Sequence, residues 1–296
     1  VSEPIVSTTI ADVREVVAAA RTSATGPDAT AAAAAAPRVA LVPTMGALHD
    51  GHLALVERAR ETADVVVVSI FVNPLQFNQA SDLENYPRTL DEDLAKLGAA
   101  GVDIVFAPGG EEMYPNGPVA TRVTGGGVGM MFEGRSRRGH FDGVLTVVSK
   151  LFHIVAPDVA VFGQKDAQQA FLVQRMVRDL DLPLRIEVVE TVRADDGLAL
   201  SSRNRRLDST ERRAATTIAA ALDAAASSAD RGIDAVIAAA QSTLMGEPVV
   251  KLDYLVVVDP ATFEPAPDDF HGRALILIAA TVGDTRLIDN EYAFVN

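Results

Sequence analysis

The chain has 296 residues, a formal net charge of −14 from 26 Lys+Arg against 40 Asp+Glu, and no cysteine. The missing thiols exclude disulfide scaffolds, thiolate zinc sites, iron–sulfur clusters and cysteine nucleophiles. The acidic balance argues against a general nucleic-acid binder, which needs positive surface to displace counterions. No apolar stretch approaches the roughly 20 residues that a membrane span requires. No basic leader precedes an apolar core at the N-terminus, so the expectation is a soluble cytoplasmic protein.

In chain order, residues 8–21 have the apolar spacing of an amphipathic helix, with Ile10, Val13, Val16, Val17 and Ala20 on one face. A Gly26-Pro27 break and an alanine run at 31–36 follow, and these read as a surface connection. Val39–Val42 reads as a short buried strand and His52–Thr62 as a helix. Val65–Val72, nearly all β-branched, reads as a strand covered on both faces. Asp91–Ala100 is expected to be helical, Val102–Ala107 a strand, and Leu145–Val155 a helix. Ala160–Phe162 (strand), Ala167–Leu180 (helix) and Leu184–Val189 (strand) continue the alternation. This pattern predicts an α/β fold: a Rossmann-like parallel sheet with helices on both faces. Ligands of such sheets bind outside the carboxyl ends of the strands.

The texture changes near residue 190. Ser209–Ser228 and Gly232–Met245 read as alanine-rich helices. The strand-like runs Lys251–Val258, Ala274–Thr281 and Thr285–Ile288, the last extending toward Val295, suggest an antiparallel meander. The expected organisation is a nucleotide-binding domain over 1–190 and a smaller C-terminal α+β domain over 191–296 with a short antiparallel sheet.

Four polar loops are candidates for chemistry. Pro43–His52 carries His49 and His52 in H-x-G-H form between a predicted strand and a predicted helix. A helix N-terminus offers unpaired N–H groups and a positive dipole end, both suited to phosphate. Phe162-Gly163-Gln164-Lys165-Asp166 also falls at a strand end. Its Lys suits phosphate and its Asp suits ribose hydroxyls, although Asp166 also reads as a simple helix cap. Leu200-Ser201-Ser202-Arg203-Asn204 offers two hydroxyls and a guanidinium, or an ordinary capped loop. Phe71–Phe77 holds Asn73 and Gln76 at the rim of the most apolar strand, where Pro74 also reads as a plain turn.

The layout of H-x-G-H followed by a later Ser/Lys loop resembles the nucleotidyltransferase and class I aminoacyl-tRNA synthetase superfamily. The fuller set is more specific. PTMGALHDGH, FVNPLQF, Tyr86-Pro87-Arg88-Thr89, His140-Phe141-Asp142-Gly143-Val144, FGQKD-x-QQ and SSRN stand in the order and spacing of the pantothenate synthetase (pantoate–β-alanine ligase) family. The resemblance runs from the first helix to Thr285–Asn290.

It implies ATP-dependent condensation of pantoate with β-alanine through pantoyl adenylate, with Mg²⁺ and commonly as a homodimer. By resemblance, Met45, Gly46, His49 and His52 belong to the ATP site, with His52 as hydrogen-bond or proton donor. Gly163 and Asp166 hold the ribose and Lys165 the phosphates. Val192 and Leu200 touch adenine through backbone atoms, and Ser201, Ser202 and Arg203 close over the phosphates. Gln76 and Gln169 grip pantoate with Asn73 nearby, while Arg137 and His140 line the pocket mouth. Glu92 and Asp93 match acidic positions associated with the metal, or form a solvated acidic helix start. Lys96, Arg138, Gln164 and Ala167 depart from the family pattern. The 191–296 domain is expected to act as a lid carrying SSRN, hinged near Thr191–Gly197. Two other readings stay open: a transferase that stops after nucleotide transfer, and a non-catalytic nucleotide-sensing module.

Overall fold

Six short strands form a parallel sheet in the computed structural model, which describes residues 3–23, 36–78, 80–117 and 119–296. They are β1 (Ile5–Ser7), β2 (Val39–Thr44), β3 (Val65–Ile70), β4 (Ile104–Phe106), β5 (Val159–Gly163) and β6 (Arg185–Val189). The spatial order is β1-β4-β3-β2-β5-β6. The chain thus runs outward from β2 through β3 to β4, then returns to lay β5 on the other side of β2. That reversal is the switch point where open α/β sheets form their ligand crevice. The β2–β5 ladder pairs Ala40 with Val159 and Leu41 with Ala160 and goes no further. Pro43 supplies no N–H to extend it.

The flanking helices are α1 (Ile10–Ser23), α2 (Asp50–Thr62), α3 (Ala80–Glu84), α4 (Leu90–Ala99), α5 (Gly110–Met113), α6 (Glu133–Ser136), α7 (His140–Val155) and α8 (Ala167–Asp179). Strand alternation sends Ala40, Val42, Val66, Val68, Val105, Val159 and Val161 to one face, against Leu55, Val56 and Ala59 of α2 and Leu97 of α4. Leu41, Val67, Ile104, Phe106 and Phe162 are also buried, and Phe162 meets Phe152 of α7 edge-on at 6.5 Å. Both sheet faces are therefore covered, which explains the near-continuous valine runs. Each buried valine contributes about 1.5–3 kcal/mol of transfer free energy.

The sequence left out β1, whose Ile5-Val6-Ser7 is too short to show a period but pairs with Ile104–Phe106. Helix α1 starts at Ile10, later than expected, because the Thr9 hydroxyl accepts the Asp12 N–H and its carbonyl accepts the Val13 N–H. Helix α7 starts at His140, five residues early, after Gly139 turns the chain at φ 77°. The alanine run at 31–36 lies outside the described residues apart from Ala36, as does the Gly26-Pro27 break.

The described residues fall into two compact units. One holds those up to Gly163 together with Leu172–Val189, and the other holds Gln164–Phe171 with Glu190–Asn296. The line between them passes inside the FGQKD motif and again inside α8. The second unit contains α9 (Ser209–Ala226), α10 (Ile233–Met245), β7 (Val250–Val258), β8 (Gly272–Val282) and β9 (Thr285–Val295). Its three strands make an antiparallel sheet in the order β7-β8-β9. Ala214, Ala215, Ile218, Ala221, Leu222 and Ala225 of α9 pack with α10 and with Ile276, Ile278 and Ala280 of β8. Small alanines let helices and sheet approach closely.

Candidate active site

In the first unit, β2 leads through Met45–Leu48 into α2. Gly46 sits at φ +80°, and a Cβ there would lie 3.0 Å from an Asp93 oxygen, so the position requires glycine. Ala47 also has positive φ, at 52°, a strained conformation for a residue with a Cβ. The turn persists because α4 braces it. Asp93, 1% exposed, accepts the Ala47 N–H at 2.9 Å and the Leu48 N–H at 2.8 Å. Thr89 Oγ1 donates to the same carboxylate at 3.0 Å. One turn along, Lys96 Nζ donates to the Leu48 carbonyl at 2.7 Å. Both polar backbone groups of Leu48 are thereby fixed from one helix.

His49 caps α2 with its carbonyl, which accepts the His52 N–H at 2.8 Å. The His49 N–H in turn lies 3.3 Å from His52 Nδ1. A backbone N–H only donates, so His52 Nδ1 accepts and its proton resides on Nε2. The two imidazoles stand 4.2 Å apart at the helix N-terminus. Two imidazoles at the positive end of a helix are suited to an anion.

The neighbouring loop after β3 is held by a buried network. Asn73 is 1% exposed, and its amide faces Leu75 N–H, Tyr114 Oη, Gly143 O and Gln76 Oε1 at 2.7–3.3 Å. Gln76, 8% exposed, directs Nε2 to Met45 Sδ at 3.1 Å. Its backbone carbonyl is gripped by His140 Nδ1 at 2.9 Å and by Arg137 at 3.4 Å, and Arg137 also meets His140 Nε2 at 3.1 Å. That pattern places the His140 proton on Nδ1. Gly143 makes this approach possible, since a Cβ there would lie 2.3 Å from the Leu75 carbonyl oxygen. Burial pushes the Tyr114 hydroxyl up to about 12.

In the second unit, Lys165 Nζ lies 3.7 Å from Asp166 Oδ1. Asn290, 4% exposed, donates to the carbonyls of Gln164 and Lys165 at 2.9 and 3.0 Å, and the Gln164 side chain donates back to it at 3.0 Å. Gln164, a departure from the family pattern, thus helps to fasten the motif that contains it. Residues 192–200 form a hairpin closed by the Arg193–Ala199 bridge. Arg193 is tied to buried Asp289 at 2.5 and 3.2 Å. Ser201 accepts the Arg203 N–H at 3.2 Å and opens a 3-10 turn, Ser202–Arg206. Asn204 Nδ2 donates to Ala199 O at 3.0 Å, and its Oδ1 is buried with no partner among the described residues. Gln169 is half-buried on α8.

Three expectations change on this geometry. Asp93 does not fit a metal ligand, because both oxygens are occupied in a closed, buried brace, and Lys96 reinforces the same brace. Glu92 is exposed at the start of α4, and no group of three or more His, Asp or Glu able to hold a metal occurs among the described residues. These donors do not fit a resident magnesium. Asn73 is no surface for substrate, since its amide is fully engaged within the chain. Leu200 N–H donates to Val192 O at 2.9 Å, so those two atoms serve the hairpin and any adenine contact falls to the other backbone groups. Sequence reasoning missed Tyr114 and Asn290. The motif Glu112-Met113-Tyr114-Pro115 carries no charge pattern around the tyrosine, and Asn290 lies inside a strand.

A doubly wound parallel sheet with an H-x-G-H turn at its switch point defines a nucleotidyltransferase-type α/β protein. The family model described as pantoate-beta-alanine ligase matches residues 5–292, and the chain belongs to that family. Pantothenate synthetase of Leifsonia xyli subsp. xyli is 58% identical over 284 residues, covering 96% of this chain and 98% of that one. The enzyme of Thermobifida fusca is 53% identical, covering 86% and 88%. Among solved structures, pantothenate synthetase from Thermus thermophilus aligns with TM-score 0.85 and 44% identity over 97% of this chain and 98% of that one. A pantoate-beta-alanine ligase from Francisella tularensis, described as complexed with beta-gamma ATP and beta-alanine, aligns with TM-score 0.76 and 34% identity over 97% of each chain.

Proposed function

We propose that this chain joins pantoate to β-alanine at the expense of ATP, through a pantoyl-adenylate intermediate. The observation that carries the proposal is the braced H-x-G-H turn at the sheet's switch point, in a chain matched along its length to one ligase family. In the first step a pantoate carboxylate oxygen attacks the α-phosphorus of ATP. An O–P bond forms, the bond to the β-phosphate breaks, and pyrophosphate leaves. In the second step the β-alanine nitrogen attacks the acyl carbon and loses a proton. The C–N bond forms, the acyl C–O bond breaks, and AMP leaves. The substrate carboxylate is the first nucleophile, so no enzyme thiol or hydroxyl is needed, in keeping with the absence of cysteine. The protein's task is positioning and charge stabilisation.

In this reading His49 and His52 hold phosphate oxygens, with His52 Nε2–H as donor. Lys165, Ser201, Ser202 and Arg203 stabilise phosphate charge, Gly163 and Asp166 hold the ribose, and Val192 and Leu200 bound the adenine. Gln76 and Gln169 bind pantoate. Magnesium belongs here to the substrate, travelling with the ATP phosphates as that hard, strongly hydrated ion commonly does. Residues 191–296 serve as a lid that shields the adenylate from water. A cytoplasmic homodimer is the expected working form, and sedimentation tests the dimer. Among the described residues no helix is long and apolar enough to cross a membrane.

The deciding experiment is pyrophosphate–ATP exchange with a panel of carboxylic acids. Exchange that depends on pantoate, followed by amide formation when β-alanine is added, is the expected result. No exchange with pantoate at saturating magnesium and ATP would sink the proposal. Exchange without amide formation would leave a transferase that stops after the first step.

A further inference from the structure

The network around Asn73 has a direction, and that direction can be read from two groups whose polarity cannot change. The Gly143 carbonyl, 3.1 Å from the Asn73 amide, only accepts. The Leu75 backbone N–H, 3.3 Å away on the other side, only donates. Together they fix which end of the Asn73 amide is nitrogen, a choice that side-chain shape alone leaves open. Nδ2 faces Gly143 and Oδ1 faces Leu75.

The rest of the chain follows by exclusion. Tyr114 Oη lies 2.7 Å from Oδ1, so the phenol must donate there. Burial keeps that phenol protonated far above neutral pH. Nδ2 has one remaining hydrogen, and the Gln76 amide atom 3.0 Å from it must therefore be Oε1. Gln76 is left with its NH₂ pointing away from the network. Among the described contacts that NH₂ meets the Met45 thioether, and sulfur is a weak acceptor that an oxygen ligand readily displaces. The Gln76 backbone is separately pinned through His140, so the side chain turns on a fixed base.

We infer that Tyr114 and Asn73 are positioning residues that present Gln76 to pantoate as a hydrogen-bond donor. The inference rests on the assignment of Gln76 to pantoate. It adds a polarity and a residue, Tyr114, that lies outside the recognised motif loops. A donor end suits a ligand whose facing groups are carboxylate and hydroxyl oxygens. A flipped Gln76 would oppose the carboxylate with a carbonyl oxygen.

The test is a double-mutant cycle read by pantoate affinity, measured calorimetrically with a non-hydrolysable ATP analogue bound, alongside steady-state KM values. Gln76→Met removes the donor, and Tyr114→Phe removes only the phenol oxygen. Tyr114→Phe is expected to weaken pantoate binding about 3–10-fold, the scale of one neutral hydrogen bond, with KM for ATP unchanged. In Gln76→Met the added Tyr114→Phe is expected to have no further effect, since the relay ends at the missing group. Independent, multiplying effects, an equal rise in KM for ATP, or no effect of Tyr114→Phe would each overturn the inference. Should Tyr114→Phe not fold, Asn73→Asp breaks the chain one link further on, between Asn73 and Gln76. It sets a carboxylate against Gly143 O, turns the Gln76 amide over, and is expected to weaken pantoate more than ATP. Unchanged pantoate affinity in Gln76→Met would instead remove the pantoate assignment itself, a failure separate from that of the relay.

Discussion

The Pro43–His52 and Phe71–Phe77 loops of the first unit and the Ser201–Asn204 turn of the second hold their polar groups by opposite means, although the Gln164–Lys165 segment of the second unit is fastened from afar by Asn290. In the first, functional loops are braced from behind by buried groups distant in sequence. Asp93 reaches back 46 residues to Ala47, and Tyr114 reaches 41 residues to Asn73. In the second, the Ser201–Asn204 turn is held by neighbours within five residues, through Ser201, Arg203 and Ala199. The sheets differ in the same sense, β-branched and covered on both faces in one, antiparallel beneath alanine-rich helices in the other. A loop braced from a buried core is rigid before ligand arrives. A half-buried turn closed by its own neighbours is freer to adjust as ligand arrives.

This contrast can be broken at graded cost. The largest effect is expected from removing one charge-stabilising donor in each unit. His49→Ala and Lys165→Ala should each lower turnover about 10²–10³-fold, the scale of one preorganised donor. Near-normal turnover in both would refute their roles. Next, Gly143→Ala pushes a Cβ to 2.3 Å from the Leu75 carbonyl oxygen. We expect a stability loss of ~3 kcal/mol by urea unfolding, as for a forced overpacking, with pantoate binding lost in parallel.

Asp93→Asn should cost about 1–3 kcal/mol by leaving a buried backbone N–H facing a second donor. The magnesium concentration for half-maximal rate at fixed ATP should stay put. A large magnesium shift without loss of stability would restore Asp93 as a ligand. By contrast, Arg203→Ala, at a half-buried position in a turn closed by its own neighbours, should change stability by only ~0.5 kcal/mol, while still lowering turnover. A strongly destabilised Arg203→Ala would erase the distinction between these loops.

The smallest effect is a pH signature. The buried Tyr114 phenol titrates at about 12 when folded, against an ordinary value of 10. Between those values the unfolded chain has lost this proton and the folded one has not, so stability falls as pH rises through the window. Tyr114→Phe should show a shallower fall than the parent in thermal scans across that range. Identical slopes would place the phenol in solvent.

Much of this was legible in the residues. Val65–Val72 could hardly be anything but a strand buried on both faces, although the strand ends at Ile70, and the H-x-G-H turn advertised its position between a strand and a helix. The loops proposed to touch ligand are polar residues among apolar ones, which stand out in a linear reading. Their supports did not. Asp93 looked like any acidic residue in the first turn of a helix, and its placement among candidate metal ligands followed from that appearance. Lys96 looked like an obstacle to a metal, yet it secures the carbonyl beside the carboxylate's own targets. Tyr114 gave no signal, because its one essential contact lies on a different loop.

The sequence by itself determined the strand–helix alternation, the change of texture near residue 190, and the chemistry available at each loop, since these depend on side-chain type and local period. Tertiary structure alone decided the return of the chain to lay β5 beside β2, the occupation of Asp93, and the direction of the hydrogen bonds through Asn73. Each depends on which groups distant in sequence are brought within hydrogen-bonding reach. A buried polar atom takes its role from the partner that satisfies it, and no linear spacing records that partner.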